Sequence, residues 1–212
     1  MWLASEANMS NLLQQLNNEL TEVVTRTRQS LVVIRNGRSG AGAGTIWHAD
    51  GLIVTNAHVV QRGSLEVVLA GERSFSARVL AHDKERDLAA LSIKAEGLPT
   101  VELGDSRDLQ PGQLVLALGH PWGVAGAVSA GPVIQVGLPP EILRVSTEFV
   151  QAGLKLRPGH SGGPMIDVRG RLVGINTMIT GPEVGLAVPV QVVKEFLRVH
   201  LGSKPIDKTQ YV

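Results

Sequence analysis

The sequence predicts an all-β protein with a helix at each end, and three observations carry that expectation. Short apolar runs recur between glycines, and glycine makes up 24 of the 212 residues, about 11% against a usual ~7%. Aromatic residues are only 3% of the chain, so the core must be built from aliphatic side chains. Hydrophobic spacing is helical before Leu31, β-like beyond it, and helical again after Pro189.

Taken in order, Leu12, Leu13, Leu16, Leu20, Val23 and Val24 form the stripe of an amphipathic helix over 10–28, with Ser10 as its N-cap. Such a helix either packs on its own chain or serves as an oligomerisation arm. Leu31-Val32-Val33-Ile34, Gly44-Thr45-Ile46-Trp47 and Leu52-Ile53-Val54-Thr55 are short β-type runs bounded by Gly, Asn and Asp. Phe75, Ala77, Val79 and Ala81 alternate with Ser74, Ser76, Arg78 and Leu80 in a period of two. The stretches 88–93 and 114–118 have the composition of buried strands. Gln110-Pro111-Gly112 then breaks the chain, and further strands are expected at 127–136, 143–150, 164–167, 171–179 and 184–188. Val192, Val193, Phe196, Leu197 and His200 have helical spacing ahead of the stop signal Gly202. The expected organisation is a helical segment at 1–30, a body at 31–202 and an unstructured tail at 203–212. Within the body, halves at about 31–110 and 113–188 precede a helix at 190–201. Some six strands on each side of the break fit two packed antiparallel barrels better than one sandwich.

Composition excludes several function classes. A chain of 212 residues can bury a core without staples. Cysteine is absent, which removes disulfide scaffolding, thiol catalysis and Cys-based zinc sites. Twenty Lys+Arg against nineteen Asp+Glu leave a net charge of +1, so no strong field draws the protein to nucleic acid or anionic lipid. No apolar stretch approaches the roughly 18 residues of a membrane span. Met1-Trp2-Leu3-Ala4-Ser5-Glu6 shows no basic segment followed by an apolar one. The expectation is therefore a cytoplasmic protein or a trimmed cell-envelope (periplasmic) one. No H-E-x-x-H spacing occurs, and neither metal nor cofactor is expected.

The most informative segment is Pro158-Gly159-His160-Ser161-Gly162-Gly163-Pro164. A serine framed by glycines, without helical or strand periodicity, belongs on a tight turn. Glycine there permits backbone angles that other residues avoid and lets a second molecule approach the main chain. Such a turn can aim the N–H groups of Gly159 and Ser161 at one point, as an oxyanion hole requires. Alone, the segment also fits a plain hairpin loop. A serine nucleophile needs a base. His48, His82, His120, His160 and His200 have no clear orienting context, whereas His58 follows the apolar run 52–57, and a rigid strand end is a good mount. A lone histidine is nonetheless more often a structural hydrogen-bond partner. The third member must be a carboxylate that holds the imidazole in one tautomer. Asp87 precedes Leu88-Ala89-Ala90-Leu91, where a polar chain enters the core; Asp83 and Asp105 lie in more polar surroundings.

Together, Thr55-Asn56-Ala57-His58-Val59-Val60, Asp87-Leu88-Ala89-Ala90-Leu91 and Gly159-His160-Ser161-Gly162-Gly163-Pro164 resemble the trypsin-like serine proteases in order and local sequence. Within that group the chain is most similar to the HtrA/Deg family from about Leu31 to Leu201. The stretches Ala117-Leu118-Gly119-His120-Pro121-Trp122-Gly123, Gly174-Ile175-Asn176-Thr177 and Gly185-Leu186-Ala187-Val188-Pro189 support this. The resemblance implies a double β-barrel with its active site between the barrels, and it disfavours the sandwich. It makes Ser161 the nucleophile, His58 the general base and acid, and Asp87 its orienting carboxylate. The Gly159 and Ser161 amides become the oxyanion hole, and Leu156, Ile179 and Val184 the walls of a shallow aliphatic specificity pocket. Lys155, beside the pocket, is expected to face solvent. Three departures stand out: His160 occupies a position where the family usually has asparagine, no PDZ domain follows, and the N-terminal segment lacks the aromatic residues through which many relatives form trimers.

The function this implies is a serine endopeptidase acting on unfolded or misfolded polypeptide, with small or medium aliphatic residues before the cut. A homotrimer is implied by the family alone. One rival is a chaperone-like or adaptor protein of the same fold in an inactive resting state. An esterase of the α/β-hydrolase type is disfavoured, because its triad runs Ser, Asp, His along the chain.

Overall fold

The computed structural model describes residues 2–37, 41–60, 63–139, 147–180 and 183–202. Helix α1 (Trp2–Arg28) leads into the first barrel of β1 (Leu31–Asn36), β2 (Ala41–His48), β3 (Leu52–Thr55), β4 (Leu65–Val68), β5 (Ser74–Asp83) and β6 (Leu88–Ile93). The short β7 (Glu102–Leu103) precedes β8 (Leu114–Gly119), β9 (Ala127–Gly137), β10 (Phe149–Ala152), β11 (Pro164–Asp167), β12 (Arg171–Thr180) and β13 (Val184–Pro189). Helix α2 (Val190–Leu201) ends the described chain, and Gly202, at φ 71°, donates its N–H to the Arg198 carbonyl as a C-terminal stop.

Strand order β1-β2-β3-β6-β5-β4 closes the first barrel through the β1–β4 pair. The second runs β11-β8-β9-β10-β13-β12 and closes through β11–β12, with β7 lying parallel along β12. The double barrel agrees with the predicted architecture.

Alternation along the inner strands explains why they are apolar throughout. In β6, Leu91 and Ile93 point into the first barrel while Leu88 and Ala90 join a second cluster between the barrels. In β13, Leu186 and Val188 join that same cluster while Ala187 faces the interior of the second barrel. Successive strand residues point to opposite faces, so a strand covered on both sides must be apolar at every position. The intervening cluster also takes Val190, Val193, Phe196 and Leu197 from α2, and Leu20, Val23 and Val24 of α1 pack against it.

Three sequence expectations need correction. Helix α1 begins at Trp2, so Ser10 lies inside it and is not its cap; the preceding residues include Ala4, Glu6, Ala7 and Met9, all good helix formers, and no breaker. The helix does pack on its own chain through Leu20, Val23 and Val24, while Leu12, Leu13 and Leu16 are exposed. The alternation in β5 fails at its far end, because a bulge between Val79 and Ala81 turns Leu80 toward the inter-barrel cluster and leaves Val79 exposed. Strands β4 and β7 were not among the expected strands, and β7 is only two residues long. Part of the strand expected at 143–150 and the whole tail at 203–212 lie outside the described residues. Among the described residues no helix is long and apolar enough to cross a membrane.

Phe196 is fully buried where the barrels and α2 meet. Phe196→Ala should cost about 3–5 kcal/mol, the loss of transfer free energy plus an unfilled cavity. Leu12→Ala, on the exposed end of α1, should stay within about 0.5 kcal/mol. Urea unfolding followed by circular dichroism measures both.

Candidate active site

Strand β3 is buried along its whole length and leaves the barrel through Asn56 into a single 3-10 turn, Ala57–Val59. Ala57 and Val59 are buried and anchor the turn, which leaves the side chain of His58 half-exposed between them. Asn56 is fully buried and donates through Nδ2 to the Asp87 carbonyl at 3.0 Å. The His82 ring meets the Ala57 carbonyl at 3.1 Å. The turn carrying His58 is thereby tied to the turn carrying Asp87.

Asp87 adopts φ 52°, a left-handed conformation that aspartate tolerates better than most residues. Its Oδ1 accepts the His58 backbone N–H at 3.1 Å, and His58 Nδ1 lies 2.8 Å from Oδ2 and 3.0 Å from Oδ1. Oδ2 also accepts the Thr177 hydroxyl at 2.5 Å. Burial opposes ionisation of Asp87, but the hydrogen bonds from His58 and Thr177 outweigh it and hold the carboxyl below its ordinary value. An ionised Asp87 can only accept, so Nδ1 must carry the imidazole proton and Nε2 keeps a lone pair.

Ser161 sits on the turn between the loop at 153–160 and β11. Ala43 of β2 donates its N–H to the Ser161 carbonyl at 2.9 Å, and the Thr45 hydroxyl donates to the Gly162 carbonyl at 3.2 Å. From the other barrel, Gly162 donates to the Asn176 carbonyl and Asn176 N–H to the Gly163 carbonyl, both at 2.9 Å. Gly162 has φ 86°, and a Cβ there would overlap the Ala43 carbonyl and the Thr55 hydroxyl. The Ser161 hydroxyl donates to the Thr177 carbonyl at 2.9 Å. Thr177 thus touches both Asp87 and Ser161. Sequence reasoning missed it; its stretch supported the family resemblance, but nothing in periodicity singles out a hydroxyl at that place in β12.

Gly159 has φ 105°, and a Cβ would collide with the His120 carbonyl. Its own carbonyl accepts the His120 N–H at 2.8 Å, which turns the peptide so that the carbonyl points to the second barrel. Neither the Gly159 nor the Ser161 N–H donates to another group among the described residues. Both residues line the cleft.

His160 is buried, with Nδ1 3.2 Å from both the N and the O of Arg157. Its Nε2, like that of His120, is buried without a hydrogen-bond partner among the described residues. Burial pushes both imidazoles below their ordinary value, and the nearby His160 adds to the shift of His120. The backbones of Arg157 and Val32 oppose these shifts, Val32 without a hydrogen bond of normal geometry.

A cleft of about 480 Å³ brings together His58, Ser161, Gly159, Leu156 and Ile179, and Met178 adds an apolar wall that the sequence reading missed. Val184 is not among the residues lining it and packs instead against the inter-barrel cluster. Lys155 is exposed, as expected. The alternative carboxylates are committed elsewhere: Asp83 pairs with Arg86 at 2.8 Å and Asp105 with Arg107 at 2.6 Å. The described residues contain no group of three or more His, Asp or Glu placed to hold a metal ion.

A Ser–His–Asp constellation in the cleft of a double barrel defines the class. The family model for the trypsin-like peptidase domain matches residues 42–175, and the chain belongs to that family. Its relatives there are of the HtrA/Deg kind. It is 36% identical over 162 residues to the putative serine protease HhoB of Synechocystis sp., covering 72% of this chain and 38% of that protein. It is 35% identical over 206 residues to the mitochondrial serine protease HTRA2 of Bos taurus, covering 88% of this chain and 44% of that one. The chain therefore spans less than half the length of either relative. Among solved structures, the HtrA-type protease AlgW with a decapeptide superposes with a TM-score of 0.79 at 26% identity, over 87% of this chain and 68% of that one.

The buried histidines make stability sensitive to acid. An imidazole whose folded-state value is depressed stabilises the fold above the unfolded value of about 6.5, and that stability is lost as the pH falls toward the folded value. The wild type should lose urea stability between pH 7.5 and 5.5, and His160→Asn should lose less over the same interval.

Proposed function

We propose that the chain is a serine endopeptidase acting on unfolded or misfolded polypeptide. The observation that carries this reading is the meeting of Ser161, the His58–Asp87 pair and two unengaged N–H groups in one cleft. Before attack, the Ser161 hydroxyl exchanges the Thr177 carbonyl for His58 Nε2. Ser161 Oγ then bonds to the peptide carbonyl carbon while its proton passes to Nε2. The oxyanion is held by the Gly159 and Ser161 amides, whose partners are otherwise absent. Asp87 keeps the ring in the Nδ1–H tautomer and stabilises the imidazolium. His58 returns the proton to the amine as the C–N bond breaks, and water hydrolyses the acyl-enzyme by the same route.

The resting rotamer of Ser161 favours a second reading, in which the same fold holds polypeptide without cutting it. One assay separates the two. The wild type should digest casein, and Ser161→Ala should not; equal, undetectable digestion by both proteins would select the holding function. Asp87→Asn should lower kcat by a factor on the order of 10⁴, because the imidazole loses its tautomer control. Single-turnover kinetics with a peptide ester give that ratio.

Leu156, Met178 and Ile179 present only aliphatic or thioether surface to the cleft. A cation placed among them would be desolvated without a counter-charge. The residue before the cut should accordingly be Val, Ala, Ile or Leu. Discrimination should be loose, since one methylene is worth about 1–3 kcal/mol. Mass spectrometry of casein fragments should show these residues at most cut sites, and a majority of cuts after Lys or Arg would refute the pocket.

A further inference from the structure

Among its described lining residues, the cleft holds one permanent charge. Its lining residues include no Asp, Glu or Lys; Arg157 is the only arginine among them, and His58 the only other titratable side chain. Arg157 is half-buried, and its guanidinium carbon sits 4.6 Å above the ring centroid of Trp122. Trp122 is 70% exposed and holds a left-handed backbone at φ 52°, within a turn closed by Gly123 N–H to the His120 carbonyl and Val124 N–H to the Pro121 carbonyl. An exposed indole in a conformation that bulky residues avoid calls for a reason. Here the indole face is the platform on which the guanidinium lies.

That platform positions the charge without cancelling it. A carboxylate partner would neutralise Arg157, but among the described residues it has none. An aromatic face attracts the cation and leaves the N–H edges of the guanidinium free. The chain on either side brings no negative charge closer: Lys155 is exposed, Pro158 is neutral, and His160 is buried behind the turn. Asp87, which holds the cleft residue His58, has its oxygens occupied by His58 and Thr177.

We infer that Arg157, held by Trp122, is a specificity-determining residue that selects substrates with an acidic side chain within about two residues of the scissile bond. The aliphatic pocket and the guanidinium then read different positions of one peptide, an apolar residue before the cut and a carboxylate beside it. This rests on the endopeptidase reading of the site, so the test must separate the two.

The test uses quenched fluorescent decapeptides with Val before the cut and Glu, Lys or Ala placed in turn at the two positions on each side. At low ionic strength the wild type should cleave the best Glu peptide about two- to fivefold faster in kcat/KM than its Lys counterpart, the scale of a partly exposed ion pair. Raising salt should shrink that ratio. Arg157→Gln should bring it to about one, Arg157→Glu should invert it, and Trp122→Ala should lower it by freeing the guanidinium. A ratio unchanged in Arg157→Gln, or absent in the wild type at every position, would overturn the inference. Cleavage of the Ala peptides by the wild type and not by Ser161→Ala would leave the endopeptidase reading standing in that case. Should no peptide be cut, fluorescence anisotropy with Ser161→Ala protein measures the Glu-to-Lys binding ratio directly. The same ratio, and its loss in the Ser161→Ala, Arg157→Gln double variant, then decides the charge selection without catalysis.

Discussion

The active-site geometry depends on how closely the Ser161 turn approaches β2 of the other barrel. Ala43 N–H meets the Ser161 carbonyl and the Thr45 hydroxyl meets the Gly162 carbonyl, contacts that leave no room for a side chain at Gly162. On its other flank the turn is held by backbone bonds to Asn176, whose buried Nδ2 also reaches the Leu118 and Pro164 carbonyls. Ser161 is thus mounted on the seam between two closed barrels. Buried backbone groups must be paired, and here each barrel pairs groups that the other leaves open. Rigidity at the seam follows from that mutual satisfaction.

Electrostatics crosses the same seam. Asp87 enters from the first barrel and receives donors from both, His58 on its own side and Thr177 on the other. A half-buried carboxylate bears a desolvation cost, which these donors offset and convert into a fixed imidazole orientation. Because Thr177 also accepts the Ser161 hydroxyl through its carbonyl, one residue of β12 reports on both ends of the constellation.

Behind the Ser161 turn the buried polar groups are less fully paired. A hydrogen-bonded path runs from Arg28 at the end of α1 to the Gly126 carbonyl, from Gly126 N–H to His120 Nδ1, and from His120 N–H to the Gly159 carbonyl. Among the described residues two imidazoles are buried here with one nitrogen each unpaired, a cost to the fold. The path also holds the peptide between Gly159 and His160, whose carbonyl accepts the His120 N–H. Stability and acid response are therefore coupled at the place where charge would develop during acyl transfer.

The all-β character, most of the strands and α2 with its stop at Gly202 were legible in the chain, because each leaves a local mark; Ser161, His58 and Asp87 were singled out by the family resemblance of their three segments taken together. Strand alternation, a glycine-framed serine and an aspartate at the edge of an apolar run are properties of neighbours in sequence. Thr177, Met178 and the Arg157–Trp122 stack left no such mark; the contacts of Thr177 and Arg157 span 16 to 90 residues of chain. The position of Val184 was likewise decided by register, since β13 pairs it with Thr180 and turns it to the inter-barrel cluster. Local sequence determines which residues can carry the chemistry, because conformation and burial pattern are short-range. Which of them share a cleft, and with what charge beside them, is set by the packing of one barrel on the other.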